Sequence, residues 1–167
     1  MPRPARLSSL VVGVISDTHG LVRPEALSAL ADCDHILHAG DIGGAEVLAA
    51  LRKIGPLHVV RGNNDREEWA ESIPEVERLR LAGSEVCLVH DQKTLPFDPA
   101  DEGVEVVIAG HTHRPMSEQR GPVLYANPGS AGPRRFGLPI GVGRLTLTSG
   151  SPPDWRWIEL LSNSPAR

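Results

Sequence analysis

The sequence predicts an α/β fold, and two observations predict it. The first part of the chain alternates short apolar, β-branched runs with helix-like segments, which is the βαβαβ pattern of a parallel sheet. The later part shows a hairpin pattern and further strand-like runs between Gly- and Pro-rich loops, which favours antiparallel strands. A chain of 167 residues has the length of one domain, so we interpret residues 1–167 as a single domain. Residues 1–7 and 162–167 are predicted to be loose tails.

Five apolar runs are predicted strands. The first and the last are continuously apolar, which indicates burial on both faces of a sheet. The five runs are residues 10–16, 35–39, 57–61, 85–89 and 104–109.

Two helices are predicted between the first three strands. Pro24 opens the first helix-like segment at a position suited to a first helical turn. The second segment, residues 45–54, ends at Gly55 and Pro56, which form a strong helix stop. The order strand, helix, strand, helix, strand therefore predicts a parallel sheet in this part of the chain.

The later part of the chain departs from this alternation. Residues 82–84 (Ala-Gly-Ser) separate two strand-like runs and predict a hairpin turn. Residues 92–101 have the length of a helix, but Pro96 and Pro99 exclude a long regular one. We expect a loop or a single turn there.

Composition excludes several classes of partner. Seventeen Lys and Arg against 21 Asp and Glu give a net charge of −4, so the chain is a poor candidate for binding long nucleic acid. The two cysteines, Cys33 and Cys87, lack CxxC spacing and are predicted to be buried free thiols. Arg3 and Arg6 before an apolar run imitate a signal peptide, but no small-x-small cleavage site follows. We therefore expect a first β-strand, no membrane partner and a cytoplasmic protein.

Each of the five predicted strands is followed by side chains that can bind a metal ion. The carboxyl ends of strands are where open α/β sheets build their sites, and glycines at several of these ends let the backbone approach closely. In strand order, the candidate ligands are Asp17 and His19, Asp41, Asn63, His90, and His111 with His113.

This set of side chains predicts two metal ions. Alone, an HxH pair such as His111 and His113 is more often a pair of surface histidines, although extended backbone aims both imidazoles to one side. Two carboxylates, one amide and four imidazoles are too many for one zinc ion, which takes four ligands. The set suits two ions about 3.5–4 Å apart, bridged by a carboxylate and a water, as in hydrolases of phosphate esters.

Other candidate residues are assigned to structure or surface. His35, His38 and His58 lie within strand runs and are predicted to pack or to form hydrogen bonds. Ser130 lacks the first glycine of a nucleophile elbow, and no Asp–His pair remains to activate it. Arg134 and Arg135 could reach a phosphate, but solvated surface arginines are the favoured interpretation.

The ordered motifs D-T-H, G-D, G-N-N-D, V-H and G-H-T-H resemble those of the calcineurin-like metallophosphoesterase superfamily, over roughly residues 10–147. The length and the N-P-G-S at 127–130 are similar to its small bacterial and archaeal phosphodiesterases. The resemblance implies a four-layer α/β/β/α sandwich of two mixed β-sheets flanked by helices.

The same resemblance implies a ligand set and a mechanism. One ion would be held by Asp17, His19, Asp41 and His113. Asp41 would bridge to a second ion completed by Asn63, His90 and His111, and a bridging hydroxide would attack phosphorus in line. The two divalent ions would be Mn most readily, while Zn, Fe or Ni also suit mixed imidazole and oxygen ligands.

Two departures from the family pattern bear on catalysis. Related chains commonly have H-G-H where this one has His90-Asp91-Gln92, which puts the loop geometry there in question. Larger members place a histidine after the metal-binding Asn, where it can protonate the leaving group, but this chain has Asn64. Asn64 can donate a hydrogen bond without serving as a general acid, so we assign it to substrate binding and catalysis in that role.

The leading hypothesis is therefore a two-metal phosphoesterase that acts on small phosphodiesters. The alternative is a protein-binding scaffold of the same fold with weak or no catalysis. A phosphomonoesterase or a dinucleoside-polyphosphate hydrolase is a third hypothesis, against which the absence of a histidine at position 64 counts. Trp155 and Trp157 alternate on a terminal strand and predict a half-buried edge or a subunit contact, so a homo-oligomer stays open.

Overall fold

The computed structural model describes residues 9–161 and contains two five-stranded sheets. The element bounds follow the predicted runs to within a few residues. In chain order the elements are β1 (Ser9–Ile15), α1 (Pro24–Leu30), β2 (His35–His38), α2 (Ala45–Arg52), β3 (Leu57–Val59), β4 (Val76–Leu81), β5 (Ser84–Val89), β6 (Val106–Ile108), β7 (Pro115–Arg120), β8 (Val123–Pro128), β9 (Ile140–Thr148) and β10 (Asp154–Leu161). Two short 3-10 helices lie at Glu68–Ala70 and Gln92–Thr94.

Both sheets are mixed, which confirms the predicted fold class. The first sheet has the order β10-β9-β1-β2-β3, with β1, β2 and β3 parallel as predicted and β9 and β10 antiparallel. The second has the order β4-β5-β6-β8-β7, and its central strands β5, β6 and β8 run parallel. The expectation of antiparallel strands in the later part of the chain holds for the pairing of β8 with β7 but is wrong for its pairing with β6, which is parallel.

The sheets pack face to face, and α1 and α2 cover the outer face of the first sheet. The core between the sheets includes Val14, Leu37, Leu88, Ile108 and Leu145. A second core contains apolar residues of both helices, which cover a surface that β1 and β2 would otherwise expose to water.

The outer face of the second sheet is covered differently. Within residues 9–161, Leu95 and Phe97 of a loop pack there against buried residues such as Cys87 and Val107, and the nearby helical structure is one 3-10 turn. Pro96 and Pro99 account for this, because proline in a helix interior removes a hydrogen bond and clashes with the preceding turn. The prediction of a loop or single turn is confirmed, and the fourth layer is a loop layer.

Two smaller predictions are also confirmed. The β4–β5 hairpin turns at Ala82 and Gly83, whose φ angles of 48° and 80° are those of a type I′ turn. Cys33 and Cys87 are buried free thiols.

Within the described part of the chain, no helix combines the length and the apolar character needed to cross a membrane.

The tryptophans of β10 form a half-buried edge of the first sheet. Trp155 lies over Gly143 and Trp157 over Gly141, where a Cβ atom would overlap each indole ring. The Trp157 indole N–H donates to the Pro128 carbonyl at 3.0 Å, which ties this edge to the second sheet.

Candidate active site

The predicted site residues all lie in loops at one edge of the sandwich. In the first sheet, the loops after β1, β2 and β3 carry Asp17 and His19, Asp41, and Asn63; in the second sheet, the loops after β5 and β6 carry His90, and His111 with His113. Backbone hydrogen bonds join neighbouring loops, from Asp17 N to Gly40 O and from His19 N to Asp41 O, each at 3.0 Å. The fold thus brings together side chains that are up to about a hundred positions apart in the sequence.

The backbone at the site is strained. Within residues 9–161, seven non-glycine residues have positive φ angles, and five of them are predicted ligands. Left-handed backbone costs an L-residue about 1–2 kcal/mol, and such residues cluster at functional sites. The five are Asp17 (54°), His19 (45°), Asp41 (56°), His111 (74°) and His113 (62°).

Glycines let these loops approach one another. A Cβ at Gly62 would overlap Asp41, and one at Gly40 would lie 2.7 Å from His90 Nδ1. A Cβ at Gly110 would overlap Ser16 and lie 2.6 Å from Asp17 Oδ2. The glycines that precede the predicted ligands are therefore required by close packing against ligands on other strands.

Carboxylate and imidazole groups face each other across gaps that suit a shared cation. Asp17 Oδ1 lies 3.4 Å from His113 Nε2, and Asp41 Oδ2 lies 3.8 Å from His19 Nε2. These gaps are longer than ordinary hydrogen bonds of about 2.7–3.2 Å. Two ligands bound at about 2.1 Å to one ion are separated by about 3.0–4.2 Å, depending on the angle between them.

Two groups of ligand atoms are compact enough to hold an ion. In each group, one ligand atom per residue lies within 4.8 Å of the others. One group is Asp17, His19 and His113, and the other is Asp17, Asp41 and His90.

Unsatisfied polar atoms mark the first of these groups. Among the described residues, four buried side-chain nitrogen or oxygen atoms have no hydrogen-bond partner, and three of them belong to it. They are Asp17 Oδ1, His19 Nε2 and His113 Nδ1. Leaving one such atom buried without a partner costs about 1–3 kcal/mol, and a cation would satisfy Asp17 Oδ1 and His19 Nε2. The residues present therefore fit a metal ion.

His90 gives the same indication for the second group. Its Nδ1 lies 2.7 Å from the Ala39 carbonyl oxygen, so Nδ1 carries a proton and donates it. Its Nε2 then faces two acceptors, Asn63 Oδ1 at 3.0 Å and Asp41 Oδ2 at 3.4 Å. Burial lowers the pKa of His90, but the contacts with Asp41, Asp17 and Ala39 outweigh burial and raise it above its ordinary value. A proton on Nε2 or a metal ion between these three atoms would satisfy both acceptors.

Asp41 lies at the centre of the site. Its Oδ1 accepts the Asn64 backbone N–H at 3.0 Å and its Oδ2 accepts the Asn64 side-chain amide at 2.9 Å. Burial raises the pKa of Asp41, but His90 and the N–H groups of Asn64 overcome that effect and hold the pKa below its ordinary value. Asp41 is therefore an anion across the neutral pH range, and Asn64 is an exposed residue beside it.

His111 lies at the rim of the site. Its side chain is 44% exposed, and its Nε2 is 3.9 Å from Asp91 Oδ2. The ring stands edge-on to His90 at a centroid distance of 5.2 Å, outside both compact groups. Each of the other six predicted ligands has a side-chain atom within 3.8 Å of another of the six, and His111 lies at the rim.

A cavity of about 200 Å³ opens beside the second group. It is large enough for a small ligand, and both charge signs line it. The lining residues include Arg61, Asn63, Glu75, His90, Asp91 and His111.

Asp65 is a structural anchor of the site that the sequence did not reveal. It is 2% exposed, and its carboxylate accepts the backbone N–H groups of Ile42 (3.0 Å), Gly43 (3.2 Å) and Gly62 (2.9 Å). It therefore fixes the loop that carries Asp41 to the loop that carries Asn63. The sequence shows Asp65 in the G-N-N-D motif but does not show which backbone N–H groups its carboxylate accepts.

The N-P-G-S segment is a second anchor. Asn127 Nδ2 donates to the Gly110 carbonyl at 2.9 Å and Ser130 Oγ donates to the Asp17 carbonyl at 3.0 Å. These bonds hold the backbone at two predicted ligand loops. Ser130 thus has a positioning role, in agreement with the decision not to treat it as a nucleophile.

The remaining histidines form hydrogen bonds, as predicted. His35 Nδ1 and His58 Nε2 lie 3.2 Å apart. His38 is fully buried, accepts the Gly40 N–H on Nδ1 at 3.0 Å, and contacts Thr18 Oγ1 through Nε2 at 3.0 Å.

Comparisons with known proteins agree with this geometry. The calcineurin-like phosphoesterase superfamily domain matches residues 10–150. A probable metallophosphoesterase of Methanothermobacter thermautotrophicus is 35% identical over 133 residues, which cover 72% of this chain and 77% of that protein. The phosphodiesterase YfcE of Escherichia coli is 33% identical over 115 residues, which cover 60% of this chain and 59% of that protein.

A solved structure shows the same fold. An archaeal phosphodiesterase has a TM-score of 0.72 at 24% identity, with 90% of this chain and 100% of that chain covered. The family uses divalent metal ions, for which this chain has the candidate ligands described above. The chain therefore belongs to the calcineurin-like phosphoesterase superfamily and is a hydrolase that acts on phosphoester bonds.

Proposed function

We propose that this protein hydrolyses small phosphodiesters with two divalent ions, Mn most readily, held side by side at the sheet edge. The observation that carries the proposal is the position of Asp41 Oδ2, which lies 3.8 Å from His19 Nε2 and 3.4 Å from His90 Nε2. One carboxylate oxygen between two imidazoles that belong to different ligand groups suits a bridge between two ions.

Asp41 fits the bridge better than Asp17, although Asp17 belongs to both compact groups. Asp17 Oδ2 accepts hydrogen bonds from Ser16 Oγ at 2.6 Å and from the His111 N–H at 3.1 Å. Asp17 Oδ1 faces His113 and has no hydrogen-bond partner, so it suits the first ion, whereas Asp41 Oδ2 faces an imidazole of each group. We assign the first ion to Asp17, His19, His113 and Asp41, and the second to Asp41, Asn63, His90 and His111.

The ions would supply Lewis-acid charge and an activated water for attack on phosphorus. The protein supplies the rest. Asp41 and Asp17 contribute two negative charges against the four positive charges of two divalent ions, so the site attracts a phosphate ester although the chain is acidic overall. Asn64 is exposed beside Asp41; one N–H of its side-chain amide bonds Asp41 Oδ2, and the second would donate a hydrogen bond, not a proton, to the departing oxygen.

The test compares Asp41→Asn with Asp17→Asn, using Asp101→Asn on an exposed turn as the matched control. Each protein is loaded with Mn²⁺, and both bis(4-nitrophenyl) phosphate turnover and bound metal per chain are measured. Asp41→Asn should lose more activity than Asp17→Asn, and more than the about 10–100-fold that loss of an outer-shell partner costs. Asp101→Asn should behave as wild type.

Equal and mild losses in Asp41→Asn and Asp17→Asn would show that Asp41 does not bridge two ions. If neither substitution changed diester turnover, the protein-binding scaffold would become the better hypothesis.

A further inference from the structure

Phe136 is exposed in a turn that disfavours it. Its side chain is 83% exposed, and the next most exposed large apolar side chain among the described residues, Leu21, is 36% exposed. Leu138 N donates to Arg135 O at 3.0 Å across the turn, and the φ angles of Phe136 (58°) and Gly137 (66°) make it type I′. Such turns favour Asn, Asp or Gly at the first central position, and a bulky residue there is an outlier. Neither packing nor turn geometry accounts for an aromatic residue at this position.

The turn is held against the first ligand group. The Phe136 ring stands edge-on to the His113 ring, with 6.3 Å between the ring centroids. The centroids of the His113 and His19 rings are 5.5 Å apart. Arg135 is exposed and directly precedes Phe136 in the same turn. Phe136 thus places an aromatic surface beside the first ligand group, with the exposed cation of Arg135 next to it in the chain.

The roots of this loop are fixed on both sides. Ala131 N donates to Ser16 O and Gly141 N donates to Ser130 O, each at 3.0 Å. The Arg23 guanidinium donates to the Gly132 carbonyl at 3.0 Å. The loop between these anchors is short and contains two prolines, Pro133 and Pro139. Phe136 is therefore presented at the rim by an anchored loop.

We infer that Phe136 and Arg135 form a subsite for a flat aromatic group carried by the phosphodiester, of which a nucleobase is the biological form. The inference rests on the proposed function and specifies its substrate class. An exposed aromatic ring stacks on any flat base regardless of sequence, and a guanidinium pairs with phosphate and stacks on aromatic faces. The substrates of this site are then nucleoside-containing diesters in preference to alkyl diesters.

The experiment measures binding separately from turnover in the Mn²⁺-loaded enzyme. Hydrolysis of bis(4-nitrophenyl) phosphate gives KM and kcat, and the slow diesters thymidylyl-thymidine and dimethyl phosphate are titrated as competitive inhibitors to obtain Ki. Phe136→Asn removes the ring and supplies the Asn-Gly pair that type I′ turns favour, whereas Phe136→Trp keeps an aromatic surface.

In Phe136→Asn, the Ki of thymidylyl-thymidine and the KM of the aryl ester should rise by about 2- to 12-fold. The Ki of dimethyl phosphate should change by less than about twofold, because dimethyl phosphate has no ring to stack. Phe136→Trp should restore the wild-type values for both aromatic ligands. The melting temperature of Phe136→Asn should rise by about 2–4 °C as turn strain is relieved.

Three results would overturn the inference. In the first, Phe136→Asn raises the Ki of dimethyl phosphate as much as the Ki of thymidylyl-thymidine. In the second, wild type hydrolyses the aryl ester but no aromatic ligand responds to Phe136→Asn, which refutes the subsite and leaves the proposed function standing. In the third, the melting temperature of Phe136→Asn falls, which shows that the ring serves packing. A wild-type enzyme that hydrolyses no diester would instead refute the proposed function, and the subsite with it.

Discussion

Protonation of His38 should destabilise the metal-free protein when the pH falls below about 6.5. The imidazole is fully buried; burial, the largest effect, lowers its pKa from 6.5 to about 4, although Asp17 and Asp65 act to raise it. Its Nδ1 accepts the Gly40 N–H, so Nε2 carries the proton and donates to Thr18 Oγ1, which in turn donates to the Ile42 carbonyl at 2.7 Å. The neutral form is therefore fully bonded, and a second proton on Nδ1 would face an N–H donor.

The size of the effect follows from the two pKa values. Above pH 6.5 neither the folded nor the unfolded state protonates His38, and the full stability is present. Between pH 6.5 and about 4 the unfolded chain binds a proton that the folded protein excludes, so stability falls as the pH falls. At about 1.4 kcal/mol per pH unit, the loss between pH 7 and pH 4.5 is about 2.5 kcal/mol.

The assay is urea unfolding in EDTA at pH 7 and at pH 4.5, for wild type and for His38→Gln. A glutamine amide can accept from Gly40 N and donate to Thr18 Oγ1, but it does not titrate. Between pH 7 and pH 4.5, the free energy of unfolding of wild type should fall by about 2.5 kcal/mol more than that of His38→Gln, since the other titrating groups are common to both proteins. Equal losses in the two proteins would refute the reasoning, because His38 would then titrate alike in the folded and unfolded states.

Two further predictions concern residues next to the proposed ions. Asp65→Asn should lower the free energy of unfolding by about 3 kcal/mol or more, because three backbone N–H groups lose a charged acceptor; urea unfolding beside Asp101→Asn measures this, and a loss below about 1 kcal/mol would contradict it. Without a general acid, wild-type rates should depend steeply on the pKa of the leaving group, and Asn64→His should make that dependence shallower, since general acid help is worth about 10²–10⁴-fold for poor leaving groups. Rates over a graded series of aryl and alkyl diesters measure the slope, and a flat slope in wild type would mean that another residue supplies the proton.

The sequence predicted the location of the site better than its internal contacts. Strand ends are visible as apolar runs that stop at Asp17, Asp41 or His90, and parallel strands deliver such residues to one edge. Hydrophobic periodicity records burial but not the pairing partner, so β7 and the parallel pairing of β6 with β8 were not predicted.

Contacts between distant segments were equally hidden. The bond from Ser130 Oγ to the Asp17 carbonyl joins residues 113 positions apart, and the carboxylate of Asp65 serves two different loops. Nor does any local pattern reveal that His111 lies at the rim, since its spacing from His113 suits a ligand equally well. These features depend on how the two sheets pack, which local propensity does not encode.

The five predicted ligands in left-handed backbone determine which substitutions would be favoured if selection acted on folding stability alone. Glycine, or asparagine in place of His or Asp, is tolerated there with about 1 kcal/mol less backbone strain, and either replacement removes a candidate metal ligand. Relief of backbone strain thus favours the loss of the candidate ligands one at a time. A chain that keeps Asp or His at all five positions keeps backbone strain that glycine would relieve, and under the proposed function ion binding is the property that offsets this strain.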